Sequence, residues 1–276
     1  MRKVFDKFSP GDFQFLADLV ERDKDRTYFI DLITQDPDSL DLILEEEEIF
    51  KKASQQKESI FVRISPYLYF ELLLRQAIRD IKRDAYTLEQ VGYKTRVPVF
   101  DSKKVLEILS RDEIRDYLVE LLVSFIRLNQ FTIYFKRGKG IYYKKVLSDM
   151  DFDLLVEMSE LVDEPYRFVF LKRAGDLALF LSGIFPEQLF EGRSYSLAKH
   201  RRLTPRVNQE EDLEKKGSEL YRKASESEVA KEKELSPILT MMADNFTFTK
   251  KPLNVMADRY LYFRKHDIFP LADNQN

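Results

Sequence analysis

The segment Pro165–Phe185 constrains this chain more than any other. Its second half, Leu177 to Phe185, holds no charged residue, and apolar side chains point in every helical direction. A helix without a polar face has to be surrounded. The run is far shorter than the roughly 20 residues a bilayer span needs. Lys172, Arg173, Asp176 and Glu187 flank it closely. The expectation is therefore a central helix at 165–185 inside a protein core. Gly175 and Gly183 weaken such a helix, so they predict sites where another helix comes close.

Around that centre the pattern predicts a mainly α, multi-helix globular bundle. Only 8 glycines occur in 276 residues, which favours helices over tight turns. Ser9-Pro10, Asp36-Pro37, Ser65-Pro66 and Ser236-Pro237 each place a capping side chain before a proline, a helix start. Asp101-Ser102 and Ser110 are further candidate caps. Helices are expected at 66–84 and 111–129, the second with the cleanest period, Tyr117, Leu118, Leu121, Leu122 and Phe125. The expected inaccessible core is Leu73, Ile78, Leu118, Leu121, Phe125, Leu177, Phe180 and Leu181. Phe131 to Phe135 and Ile141 to Tyr143 flank a Gly-containing turn, which predicts one small hairpin near 131–145. Gly92 and Pro98 make 87–98 read as a loop. Residues 209–235 read as an exposed, charged helix broken near Gly217, and Pro252 as an interruption of the last helical section.

Charge divides the chain unevenly. Residues 1–60 carry nine basic against fifteen acidic side chains, net −6; the remainder carries +3. One main domain is expected: an acidic helical segment at 1–60, a helical core with the hairpin at 61–186, and a charged linker with C-terminal helices at 187–276. With a total of −3, nothing global points to a nucleic-acid binder. The first residues show no apolar leader, so a soluble, cytoplasmic protein without a membrane span is expected.

Ile64 to Arg75 (ISPYLYFELLLR), Tyr117 to Leu122 (YLVELL) and Gly175 to Pro186 (GDLALFLSGIFP), in that order, resemble an uncharacterised family of prokaryotic, mostly helical proteins. The resemblance covers roughly residues 36–262. It implies a helical fold and carries over no activity or site.

The chemistry-bearing motifs are sparse. Zero Cys removes thiolate metal sites and Cys nucleophiles, and two His leave little for imidazole ligation. No P-loop pattern occurs. Gly138 and Gly140 begin a GxG, but Tyr143 stands where the third glycine belongs. Asp149, Asp151, Asp153 and Glu160 fit an EF-hand frame, yet Leu154 occupies the position needing Gly, so an N-cap with first-turn acids is the simpler reading. Glu45–Glu48 fan around a helix and read as a solvated acidic patch. No metal or cofactor is expected.

Two basic features remain. Lys199, Arg201, Arg202 and Arg206, with His200, form the densest basic cluster, a candidate binding site inside the region 187–235. Arg193 with His200, and Arg259 with His266, are each separated by six residues, which resembles the loose Arg-to-His signature of HEPN helical ribonucleases. There His would act as the base and Arg would steady the phosphorane-like charge. Ser194 and Tyr260 follow the arginines where that family favours Asn, Asp or His, which puts the match in doubt. The reading carried forward is a non-catalytic helical protein that binds a protein partner or self-associates. The alternatives are a metal-independent ribonuclease and a helical pocket for a small apolar ligand.

Overall fold

Helix starts follow the capping signals. In the computed structural model, which describes residues 2–20, 26–54, 63–92, 95–127, 130–136, 142–190 and 209–269, α1 (Pro10–Leu19) opens on a capping box. Ser9 accepts from the Asp12 amide while the Asp12 carboxylate accepts from the Ser9 amide. Asp36 caps α3 (Pro37–Leu44), and Ser65 caps α5 (Pro66–Asp84) by accepting from the Leu68 amide at 3.2 Å. The fold is mainly α, as its pattern predicts.

Two compact units emerge, residues 1–87 with 99–124, and 88–98 with 125–276. These divisions fall elsewhere than the boundaries expected at 60 and 186. The first unit holds a 3-10 turn (Lys3–Lys7), α1, α2 (Arg26–Gln35), α3, α4 (Glu47–Ser54), α5, α6 (Ser102–Leu109) and α7 (Asp112–Ser124). The Asp36-Pro37 start opens not one long helix but two, α3 and then α4. At the break, Arg79 Nη1 donates to the Glu45 carbonyl at 2.9 Å, and the Glu45 carboxylate binds Arg75. Leu68, Phe70, Leu118 and Leu122 are inaccessible in its core. Ile78, expected among them, is only half-buried. α5 buries four polar side chains as well, Glu71, Arg75, Gln76 and Asp80.

The second unit is built on α9 (Tyr166–Ile184), buried almost continuously from Phe168 onward. Around it stand α8 (Phe152–Leu161), α10 (Pro186–Phe190), α11 (Gln209–Ser225), α12 (Glu228–Glu232), α13 (Ser236–Asp244), α14 (Phe246–Arg259) and α15 (Lys265–Ile268). Phe125 stacks on Phe180 at 4.2 Å, and Phe269 meets Phe180 edge-on at 5.0 Å. Both glycines of α9 mark close approach. A Cβ on Gly183 would stand 2.7 Å from Leu253 Cβ, and one on Gly175 would stand 2.9 Å from the Tyr221 ring.

Three expectations fail here. The helix over 209–225 is neither broken at Gly217 nor peripheral. Gly217, Leu220, Tyr221 and Ala224 form a buried stripe, and a Cβ at Gly217 would collide with the Phe246 ring at 2.5 Å. Pro252 does not interrupt the last section. The break lies at Asn245, and Pro252 is buried within α14. There it forgoes one backbone hydrogen bond, which α14 tolerates inside a packed core. Ser236 begins α13 without capping it; its hydroxyl donates to the Ser225 carbonyl at 2.7 Å instead.

The described residues form two two-stranded sheets. The expected hairpin is β3 (Gln130–Lys136) against antiparallel β4 (Tyr142–Ser148), with Gln130 opposite Ser148 and Lys136 opposite Tyr142. A second hairpin, β1 (Thr87–Gln90) and β2 (Arg96–Val99), occupies the segment read as a loop. Pro98 is tolerated because this two-stranded ribbon consists of edge strands. No helix among the described residues is long and apolar enough to cross a membrane.

Candidate functional site

In the second unit a polar assembly surrounds the C-terminal end of α9. A helix end leaves carbonyls without intrahelical partners. Here α14 and α15 supply side chains to them. Asn254 Nδ2 donates to the Ser182 and Gly183 carbonyls, each at 2.9 Å, and Lys265 Nζ donates to the Ile184 carbonyl at 3.1 Å. Lys265 also pairs with Glu187 at 2.5 Å and lies 5.0 Å from the Phe185 ring centroid. A cation at this end also complements the helix dipole.

The same face of α14 carries two more ion pairs. Lys251, 1% exposed, meets Glu89 at 2.6 Å, and Asp258 meets Arg96 at 2.6 Å. Burial pushes the Asp258 carboxyl above its ordinary range, against the pull of Arg96 and Lys265. Elsewhere in this unit Asp176, buried inside α9, accepts from Tyr221 Oη at 2.9 Å and from Lys172 at 2.7 Å. Each of these charges has a partner where it is buried.

Outside this assembly the surface changes character. Tyr262 and Phe263 project from the connection between α14 and α15, 61% and 90% exposed, with their rings perpendicular at 4.8 Å. Arg259, Arg264 and His266 are exposed around them in sequence. The second sequence candidate pair therefore falls at this projection: Arg259 ends α14, and the His266 ring lies against Phe185 at 5.2 Å. Lys199, Arg201, Arg202 and Arg206, with Arg193 and His200, lie outside the described residues.

A groove of roughly 370 Å³ lies between α11, α13 and α14, lined by Glu214, Lys215, Ser218, Asn245 and Thr247 among others. Its polar groups bind one another. Thr247 Oγ1 donates to Glu214 at 2.8 Å, Lys250 pairs with the same carboxylate, and Ser218 Oγ donates to the Ala243 carbonyl at 2.7 Å.

The calcium frame resolves into structural roles. Asp149 is buried and pairs with Arg173 at 2.6 Å, and Asp151 caps α8 by accepting from the Leu154 amide at 3.1 Å. Asp153 and Glu160 are exposed. Of the Glu45–Glu48 run, Glu46 and Glu48 are exposed and Glu47 pairs with Lys51 at 3.1 Å. Among the described residues no group of three His, Asp or Glu is placed to hold a metal ion.

In the first unit, reasoning from sequence missed a buried charge network. Arg2 Nη1 and Nη2 donate to Glu71 at 2.9 and 2.7 Å, and its Nε donates to Asp116 at 2.6 Å. Arg75 Nε donates to Glu71 at 2.7 Å, and its other nitrogens bind Asp41 and Glu45. The signal was Glu71 and Arg75 at i, i+4 inside the Leu68–Ile81 apolar stripe.

No family model, curated protein or solved structure matches the chain. The reading of function rests on the residues alone.

Proposed function

We propose that this is a non-catalytic binding protein that engages a protein partner or a second copy of itself through the Tyr262–Phe263 projection. One observation supports this reading above the others. A 90%-exposed Phe beside a 61%-exposed Tyr, with Arg259 and Arg264 exposed in the same stretch, has the residue types that dominate binding hot spots. Scattered single apolar residues need no explanation, but an adjacent aromatic pair set at right angles leaves a large apolar area in water. The basic cluster Lys199–Arg206 is a second contact in this proposal, and so is a cytoplasmic, prokaryotic setting. No bound cofactor is invoked.

The test compares the wild type with Phe263→Ala and Arg264→Ala in sedimentation velocity, and by a photo-crosslinking residue at position 262 in the host cell. Concentration-dependent association, or one dominant crosslinked protein, that both substitutions diminish supports the proposal. Unchanged association, or no crosslink at 262, refutes it. RNA cleavage by purified protein, abolished by His266→Ala with the fold intact, would replace it with the ribonuclease alternative.

A further inference from the structure

We propose that the β1–β2 hairpin is an ion-pair clasp on α14, closed at low ionic strength and released as salt rises. The segment 88–98 packs with the second unit, whereas the chain on either side of it belongs to the first. Its strands are four residues each, and a lone two-stranded hairpin is marginal in water. Docking must hold it. Hydrophobic burial contributes little, because Leu88, Val91 and Val97 are 38%, 55% and 37% exposed. Two ion pairs help to fasten it, Glu89 on Lys251 and Arg96 on Asp258. Lys251 and Asp258 are seven positions apart, two turns along one face of α14.

The two fastenings differ in kind. Arg96 and Asp258 are 37% and 23% exposed at the side chain, so dissolved ions screen them. Lys251 is buried, and a buried ammonium needs either a partner or water. Glu89 satisfies it in the closed state; solvent satisfies it once the hairpin lifts. Both states are therefore tolerable for Lys251, and the screened Arg96–Asp258 pair decides between them. The charged groups facing the clasp are Glu89 and Arg96 on the hairpin, Lys251 and Asp258 on α14, Glu187 on α10 and Lys265 on α15. Opening uncovers the α14 face that carries Lys251, Asn254 and Asp258.

Amide hydrogen exchange on the full-length chain tests this. Between about 0.05 and 0.5 M NaCl, exchange at 88–98 should accelerate roughly three- to fivefold, the scale of an exposed pair, while α9 amides stay unchanged. Asp258→Asn should show the accelerated rate at low salt and lose the salt response. The reversed pair, Arg96→Asp with Asp258→Arg, should restore both. Salt-independent exchange at 88–98 in the wild type overturns the clasp. So does a salt response that persists in Asp258→Asn. Protected α9 amides identify any variant that remains folded, and the wild-type salt series needs no variant at all.

Discussion

Glu71→Gln tests the buried network directly. The substitution keeps the side-chain volume and removes one charge. Glu71 is inaccessible and accepts three charge-assisted hydrogen bonds, two from Arg2 and one from Arg75. The amide keeps one acceptor oxygen and turns a donor toward a guanidinium. Each hydrogen bond to a charged group contributes about 1.5–3 kcal/mol. The two arginines differ in what they retain. Arg75 keeps Asp41 and Glu45 at its solvent edge, whereas Arg2 keeps only Asp116 of its two carboxylates. Arg2 is 3% exposed, with the Phe5 ring centroid 5.4 Å from its guanidinium, so it has no ready access to water. Breaking one side of such a pair costs about 3–5 kcal/mol, and that is the expected loss.

Urea unfolding followed by hydrogen exchange of α5 and α7 amides would measure that loss in the first unit by itself. Arg2→Met in the Glu71→Gln background should cost less than the sum of the two single changes, because the second removes the charge the first had stranded. Acidity supplies an independent reading. Burial would push the Glu71 carboxyl up, but Arg75 and Arg2 outweigh it and hold it below the ordinary range. A lowered carboxyl stabilises the fold above its unfolded value, near 4.3, and that contribution fades as pH falls toward the folded value. The wild type should lose stability over that acid window, and Glu71→Gln should lose less. A cost under about 1 kcal/mol, with an unchanged acid profile, would show that the network is solvated and refute the reasoning.

Three further outcomes follow from the second unit and from α1. Gly183→Ala should destabilise by about 1–3 kcal/mol in thermal or urea unfolding, because its Cβ meets Leu253 Cβ, which no rotamer can move. Gly11→Ala, whose nearest neighbour is Ser9 Oγ at 3.6 Å, should instead stabilise α1 by up to about 1 kcal/mol. Tyr221→Phe removes the hydroxyl that donates to buried Asp176 and should cost about 1.5–3 kcal/mol by urea unfolding; a neutral result would mean that Lys172 alone satisfies the carboxylate.

What sequence made legible was the part of the fold that depends on one element at a time. The Ser9, Asp36 and Ser65 caps act within their own helix, and the all-round apolar run at α9 says by itself that it is enclosed. What it concealed depends on two elements at once. α11 carries charge on most positions, and its buried stripe starts with a glycine, which no apolar pattern counts; Gly217 is central because the Phe246 ring from α14 fills the space beside it. Lys250 and Lys251 look like a solvated dipeptide, yet both are buried because Glu214 on α11 and Glu89 on the hairpin come to meet them. The loop reading of 87–98 failed for the same reason. Gly92 and Pro98 describe a break in a helix correctly, but the segment acquires its place from Glu89 and Arg96, whose partners lie some 160 residues further along. Around the Tyr262–Phe263 projection the position is reversed. The aromatic and basic residues were visible as types, but a Tyr or Phe in this chain is usually core, and only the end of α14 at Arg259 and the start of α15 at Lys265 lift these two rings into solvent. An exposed patch that no described element covers has no local signature, so it becomes visible only once the described neighbours have been placed.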